Sequence, residues 1–518
     1  MSGGYEYGLG MDCGTTNLKA IVLRNDGKVV ANDSIPNVFM QPGPDMHEQD
    51  AQVWWDNAVK VLKSISEQLG SEESEKIRCI SVSSHTVSML PVDENGMPLR
   101  PAITYQDGRS SADLQEILDV IGRDRFIRMV GGQPSVAFLP NKLLWFRRNE
   151  PQLFRKTAWF LQASSYINFR LTGVLSSDID QALRTQCMDI QTLDWSQEIA
   201  DVIGVDLKTK MPALYQVDDV IGTVTEEAAR QTGLKPGIPV VAGCSDAMAA
   251  MYATGISQLG DAGESSGTTS LVFVGSSKKS APDVPVVTRP CPIKGMPWVF
   301  DAPIQTSGAA IRWFIEKFAA QERLDADKNG VDIYDHLNDL ALKAKPGSEG
   351  LLFFPYLLGE RAPLWNDHAS GMFIGMRMNM DRCSLIRSVY EGTAFALRHV
   401  IETVRESGAD PKLLKICGGG SRSRTWNMIK ASMLNMPVHV LSGESGDVPV
   451  GDALIAGHKA GVFPDLHEAA EKVIKTAEVI QPIPEWTQVY DKLYPYYVEM
   501  YRKLDPELEK LQITLRTL

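Results

Sequence analysis

Two short segments, Gly14-Thr15-Thr16-Asn17 and Gly267-Thr268-Thr269-Ser270, repeat one pattern 253 residues apart. Each closes a short strand and opens an aliphatic one. Ahead of the first, Gly8 to Gly14 (GLGMDCG) is an apolar run that carries Asp12 near its end, and Leu18 to Leu23 (LKAIVL) follows it. A glycine-containing polar tip between two such runs is a β-hairpin. Recurrence at about half the chain is the mark of a duplicated domain. At 518 residues the chain also exceeds the roughly 250–300 at which one core stops growing. Two large domains are expected, residues 1–254 and 255–518.

After the turn Asn25-Asp26-Gly27, Lys28 to Ile35 makes a third strand, and Gln52 to Leu69 has the apolar spacing of an amphipathic helix. Arg78 to Ser84, Val87 to Val92 and Ala102 to Tyr105 read as strands, with a helix from about Ser110. Residues 123–196 look helical and irregular, an insertion. Ile238 to Gly243 is a buried strand running into Cys244-Ser245-Asp246 and the small-residue helix Ala247 to Ala253. Further on, the strand Leu414 to Cys417 ends in Gly418-Gly419-Gly420, ahead of the helix Arg422 to Leu434 and the strand Val438 to Leu441. Val450 to Ala460 mixes small and apolar residues, the texture of a tightly packed helix. Antiparallel strands followed by helix and strand in alternation give an α/β (α+β) class.

Composition narrows the partners. A net charge of −12 repels nucleic acid and anionic lipid, so any polyanion bound must be small and held in a local pocket. No run approaches the roughly 18–20 apolar residues of a membrane span. The seven cysteines are scattered and form no C-x-x-C pair, which disfavours both a disulfide framework and a zinc ribbon. With no signal segment at Met1 to Gly10, the cytosol is the expected compartment.

A tip of Gly14, Thr15 and Thr16 aims backbone N–H groups and hydroxyls into one concavity, a geometry that holds phosphate oxygens without net positive charge. Gly267, Thr268 and Thr269 supply the same groups, and two matched tips would clamp one polyphosphate. Asp12 is placed to hold Mg²⁺ partly through water, and Lys19 on the next strand is a candidate for a phosphate oxygen. Asp246 starts a helix, where the N-terminal dipole keeps a carboxylate ionised; an ordinary N-cap aspartate has the same signature. His85, after Ser83-Ser84, and Asp107, in Gln106-Asp107-Gly108-Arg109, end two strands at one sheet edge. Such an edge suits a hydroxyl-rich substrate, and a solvated turn has the same composition. The glycines 418–420 let a flat ring approach the backbone, yet G-G-G-S-R-S is not G-x-G-x-x-G, so a dinucleotide oxidoreductase is disfavoured.

With those residues in view, the chain resembles the FGGY carbohydrate kinases over nearly its whole length. The pieces that carry the likeness run in order: GLGMDCGTTNLKAIVL, ITYQDGR, NKLLWFRRNEP, YINFRLTG, PVVAGCSDAMAA, ESSGTTS, LLFFPYLLGERAP, GMFIGM with SVYEGTAFALRH, and CGGGSRSRTWNMIKA with VGDALIAG. The texture is similar to that of xylulose kinases. The resemblance implies two duplicated actin-like (ribonuclease H-like) ATPase domains with a cleft between them, closing over the substrates. It implies ATP and Mg²⁺ as cofactors, Asp246 as general base, and Asp12 with Asp246 at the metal. Sugar contacts fall on Ser84, His85, Asp107 and Asp246. The adenosine pocket falls on Gly419, Gly420 and Ser421, with Ala310 and Arg312 nearby and the VGDALIAG helix behind.

The expected activity is ATP-dependent phosphorylation of a primary hydroxyl of a ketose or polyol, a pentulose such as D-xylulose before others. Gluconate or another sugar acid is the alternative substrate. A conformational ATPase of the actin or heat-shock type and a non-catalytic sugar sensor are the rival classes. Partners are then small molecules, with no nucleic acid and no membrane, and a homodimer is compatible with them. Ser83-Ser84-His85, Tyr105-Gln106-Asp107 and Gln162-Ala163-Ser164 depart from the forms common in xylulose kinases, so the nucleotide side is read more directly than the sugar side.

Overall fold

A computed structural model describes residues 5–281, 284–293, 295–366, 368–443 and 446–517. They form two units, Met1–Ala253 with Asp447–Val473, and Thr254–Gly446 with Ile474–Leu518. The contiguous division at residue 254 therefore lacks one feature, a segment of the second half that folds with the first unit.

In the first unit the strands Tyr7–Cys13 and Asn17–Arg24 form the hairpin, and Val29–Pro36 continues it antiparallel. On the other edge Ile77–Ser84 runs parallel to Tyr7–Cys13, then Pro239–Val241 parallel and Val220–Thr223 antiparallel. Helix Ala51–Ser74 buries Trp54, Ala58, Val61, Leu62 and Ile65, an i, i+4, i+7, i+8, i+11 stripe, against this sheet. It outruns the expected helix at both ends, with a break in helical geometry at Gly70. The 123–196 insertion is helical and irregular as expected, and its strand Trp159–Leu161 joins Ser88–Val92, Ala102–Thr104 and Glu48–Gln49 in a small sheet.

The returning segment is held by close backbone approach. A Cβ on Gly8 would lie 2.5 Å from the Ala453 carbonyl oxygen and 2.9 Å from the Gly457 nitrogen, and one on Gly10 would fall on the backbone of Pro449 and Ala453. Gly451 sits equally tightly on Ala249. Three glycines thus let helix Val448–Lys459 press on strand Tyr7–Cys13 and on helix Asp246–Ala253. The VGDALIAG helix therefore backs the first hairpin; small residues predicted tight packing, and the partner proved to be the first unit.

The second unit repeats the order. Ala262–Ser266 and Ser270–Ser276 form its hairpin, Met296–Ile304 continues it antiparallel, and Leu414–Cys417 then Val438–Leu441 run parallel on the other side. The closing strand, Thr476–Ile480, is again antiparallel. Gly419–Arg422 is a short 3₁₀ turn, so the helix after the glycines begins at Arg424 and runs to Leu434, two residues later than expected.

Candidate active site

Three strands of the first unit end together. Asp12 pairs in register with Ser83, Ser83 with Cys244, and Ser84 with Ser245, which places Asp12, His85 and Asp246 at or just past the carboxyl ends of parallel strands. That edge is where open α/β sheets bind ligands. Asp246 opens helix Asp246–Ala253, its Oδ1 accepting the Ala247 N–H at 2.7 Å. Ser245 beside it is pinned from the insertion, because Asp180 accepts both its main-chain N–H at 3.1 Å and its hydroxyl. Asp180 is in turn paired with Arg184 at 3.0 Å.

Asp12 is buried, and burial first, then the Asp246 charge, raise its carboxyl well above the usual range, with Lys19 acting against them. The sequence pattern missed a third carboxyl. Asp452, on the returning helix, is fully buried and accepts from Ser83 Oγ at 2.6 Å and Ser81 Oγ at 3.3 Å. Burial also drives its carboxyl well above the ordinary value, more than the Ser83 bond lowers it. Lys19 pairs with Asp447 at 2.9 Å, so its ammonium has a partner within the unit. Among the described residues no group of three or more His, Cys, Asp or Glu side chains forms a metal-ligand cluster.

The three residues expected at the sugar edge are all buried but differ in what they offer. Ser84 Oγ accepts from Ser164 N–H at 3.0 Å and Gln181 Nε2 at 2.9 Å, an internal support. Both Asp107 oxygens are engaged, by Arg109 and by the His47 N–H at 2.6 Å, and Arg109 also pairs with Glu48. Its carboxylate braces the strand end. His85 is different: its Nδ1 meets the Cys13 carbonyl at 3.0 Å, which fixes the proton there, while Nε2 is buried with no hydrogen-bond partner. Burial, opposed by the Cys13 bond, pulls its pKa down to about 4, so the ring is neutral and Nε2 is an acceptor.

In the second unit a cavity of about 790 Å³ is lined by Gly267 and Thr268 of the tip, Arg312, Gly419, Gly420 and Trp426, among others. Thr269, Ala310 and Ser421 do not line it: Ala310 is fully buried, and the Ser421 hydroxyl bonds the Gly418 carbonyl at 2.7 Å. Another part of the wall comes from Asp332, Tyr334, Asp335 and Asn338 at the start of helix Ile333–Lys343, which the sequence pattern did not single out. Asp332 as the N-cap was its one local signal. Two of the tip's carbonyls are taken by main-chain donors, Gly267 O by Gly308 N–H and Thr268 O by Ser307 and Ala309 N–H.

Comparison with known proteins gives a contiguous division, with the start of the returning segment counted in the second domain. Residues 7–253 match the model of the N-terminal domain, and residues 264–460 that of the C-terminal domain, of the FGGY family of carbohydrate kinases. The chain is similar to the crystal structure of xylulose kinase from Rhodospirillum rubrum, with a TM-score of 0.89 and 30% identity over 97% of this chain and 100% of that one. It is 28% identical to the xylulose kinase of Bacillus subtilis strain 168 over 507 residues, 96% of this chain and 97% of the relative. It is also 28% identical to the gluconokinase of the same strain, over 98% of each.

Proposed function

The chain belongs to the FGGY family of carbohydrate kinases, and from that premise we propose that it moves the terminal phosphoryl group of ATP to a primary hydroxyl of a pentulose such as D-xylulose. The observation that carries the substrate class is His85, a buried neutral ring whose Nε2 has no partner in the protein. An acceptor of that kind suits a hydroxyl and offers no charge to a carboxylate. Arg109 is already closed by Asp107 and Glu48, which favours a neutral ketose over a sugar acid.

Asp246 is the catalytic residue in this reading. Held at the head of its helix by Ala247 N–H and steadied through Ser245, it accepts the hydroxyl proton as the oxygen attacks phosphorus. The first tip, Gly14 to Thr16, and the second, Gly267 to Thr269, offer N–H and hydroxyl groups to phosphate oxygens, and the 790 Å³ cavity takes the nucleoside. Asp12 and Asp246 fit a magnesium ion: both are hard oxygen donors, the Asp246 charge raises the cost of ionising Asp12, and a cation relieves it. Mg²⁺ when bound would neutralise charge on the phosphates, its remaining ligands being water and phosphate oxygen. A reducing cytosol suits seven scattered cysteines, six of them buried, and no helix of the described residues is long and apolar enough to cross a membrane.

ADP release coupled to a reporter, screened over ketopentoses, ketohexoses, pentitols and aldonates, tests the reading. D-Xylulose or another pentulose should give the highest kcat/KM. Turnover confined to gluconate would overturn the substrate class, and ATP hydrolysis that no sugar alters would overturn the kinase assignment.

A further inference from the structure

The carbonyls of the first tip are all held by protein donors. Asn37 Nδ2 donates to Gly14 O at 2.7 Å, Gln49 Nε2 to Thr15 O at 2.8 Å, and the Asn37 main-chain N–H to Thr16 O at 2.8 Å. In a trans peptide the carbonyl and the following N–H point opposite ways. Fixing these carbonyls therefore turns the Thr15 and Thr16 N–H groups to the other face, and among the described residues neither makes a hydrogen bond within the protein. Two outward N–H groups in sequence are a nest for an anion.

Gln49 is 1% exposed, and its amide can sit only one way round. A carbonyl accepts and an indole N–H donates, so Nε2 must face Thr15 while Oε1 accepts from Trp54 Nε1 at 3.2 Å. Trp54, equally buried, lies edge-on to His85 with ring centroids 5.8 Å apart. An unbroken chain of contacts, buried as far as Gln49, thus runs from His85 through Trp54 and Gln49 to Thr15 and joins the sugar edge to the phosphate tip.

We propose that Gln49 is a positioning residue that holds the first tip in its anion-binding form and transmits to it, through Trp54, whether the sugar edge is occupied. This rests on the sugar and phosphate roles given above to His85 and the tip. A sugar hydroxyl on Nε2 fixes the imidazole plane, and the indole packed against that plane sets the line of the Gln49 amide. Sugar and nucleotide should then bind with positive coupling, each raising the other's affinity by the same factor.

Two substitutions separate the halves of the proposal. Gln49→Glu keeps the shape and the acceptor for Trp54 but sets a carboxylate oxygen against the Thr15 carbonyl. Trp54→Phe keeps a six-membered aromatic ring beside His85 and removes the indole N–H together with the five-membered ring. Calorimetry with MgADP, with and without D-xylulose, reads both, alongside kcat and both KM values. For Gln49→Glu the expected result is MgADP binding weakened at least tenfold, D-xylulose binding without nucleotide within twofold of wild type, and a coupling factor near one. Trp54→Phe should lower the coupling factor while leaving sugar-free MgADP affinity within threefold. Gln49→Met, which lacks both polar ends, stands in if Gln49→Glu does not fold. Wild-type MgADP affinity in the Gln49 variants would overturn the tip half, and an unchanged coupling factor in both variants the transmission half. A wild-type enzyme that binds MgADP but not D-xylulose would overturn the pentulose reading instead, with the sugar-free MgADP arm still deciding the tip.

Discussion

Replacing His85 with phenylalanine isolates the sugar contact with little else disturbed. The ring still packs between Trp54 and Tyr105, whose centroids lie 5.8 and 6.3 Å away. The Cys13 carbonyl loses Nδ1 but keeps the His85 main-chain N–H at 3.2 Å, so no protein acceptor is left bare. What disappears is Nε2, which the free protein leaves unpaired. A sugar hydroxyl then enters a buried site without its acceptor, at a cost of about 1–3 kcal/mol. At 1.4 kcal/mol per decade that is roughly a 5- to 150-fold rise in the sugar KM. MgADP affinity in the absence of sugar should stay within twofold. Stability gives a second reading. Because the folded pKa of about 4 lies below the unfolded 6.5, the native state binds fewer protons between those values, and wild-type stability falls as pH drops through that window. At 1.36 kcal/mol per unit the effect reaches about 3 kcal/mol. His399, also pulled down to about 4 by burial, is present in both proteins and cancels in the difference. Denaturant titrations from pH 4 to 7 should therefore show the variant gaining on wild type toward acid. An unchanged sugar KM would refute the role of His85, and parallel pH profiles would refute the neutral buried ring.

Asp246→Asn keeps the shape and the acceptor for Ala247 N–H, so turnover should fall roughly 10²- to 10⁴-fold even at saturating Mg²⁺; retention of a tenth of wild-type kcat would remove Asp246 as the base. Asp12→Ala should raise the Mg²⁺ concentration needed for half-maximal rate and leave sugar binding intact, read by metal titration and by calorimetry with sugar alone. Gly10→Ala places a methyl on the backbone of Pro449 and Ala453 and within 2.8 Å of Asp452 Cβ, so a loss of about 1–3 kcal/mol or more is expected in urea, against little change for Ala at open Gly461 apart from its positive φ. Asp107→Ala strands the buried Arg109 guanidinium with Glu48 alone, and its cost, about 3–5 kcal/mol, should appear as lost stability before any shift in sugar KM.

What the sequence could carry were features written in neighbouring residues. Both tips, the triple glycine and the strand into Asp246 are local patterns, and each lies where the pattern put it. The returning helix is not of that kind. Its alternation of small and apolar residues announced close packing, but its contact is with Gly8 and Gly10, some 440 residues earlier, and no local rule names a partner at that distance. Asp452 was hidden for the same reason: alone it is a polar residue inside an apolar helix, and only the packing of that helix brings it under Ser83.

The two tips show why the supports were harder to read than the tips themselves. The Gly-Thr-Thr turn occurs twice, and in the proposed reading each copy has its carbonyls held by protein donors so that threonine N–H groups are left for phosphate. The second unit does so with the start of a helix, Ser307 to Ala309, packed so closely that a Cβ on Gly308 would fall on the Gly267 carbonyl. The first unit does so with side chains, Asn37 and Gln49, from a loop and a two-residue strand. A helix N-terminus is a fixed donor set that answers to nothing beyond its own packing. A side-chain amide can be tilted by whatever holds its other end, and in Gln49 that end is held by Trp54 against His85. The tip beside the sugar edge is thus the one whose geometry can depend on sugar, which is the order of events a kinase needs if it is to spare ATP from water until an acceptor is in place.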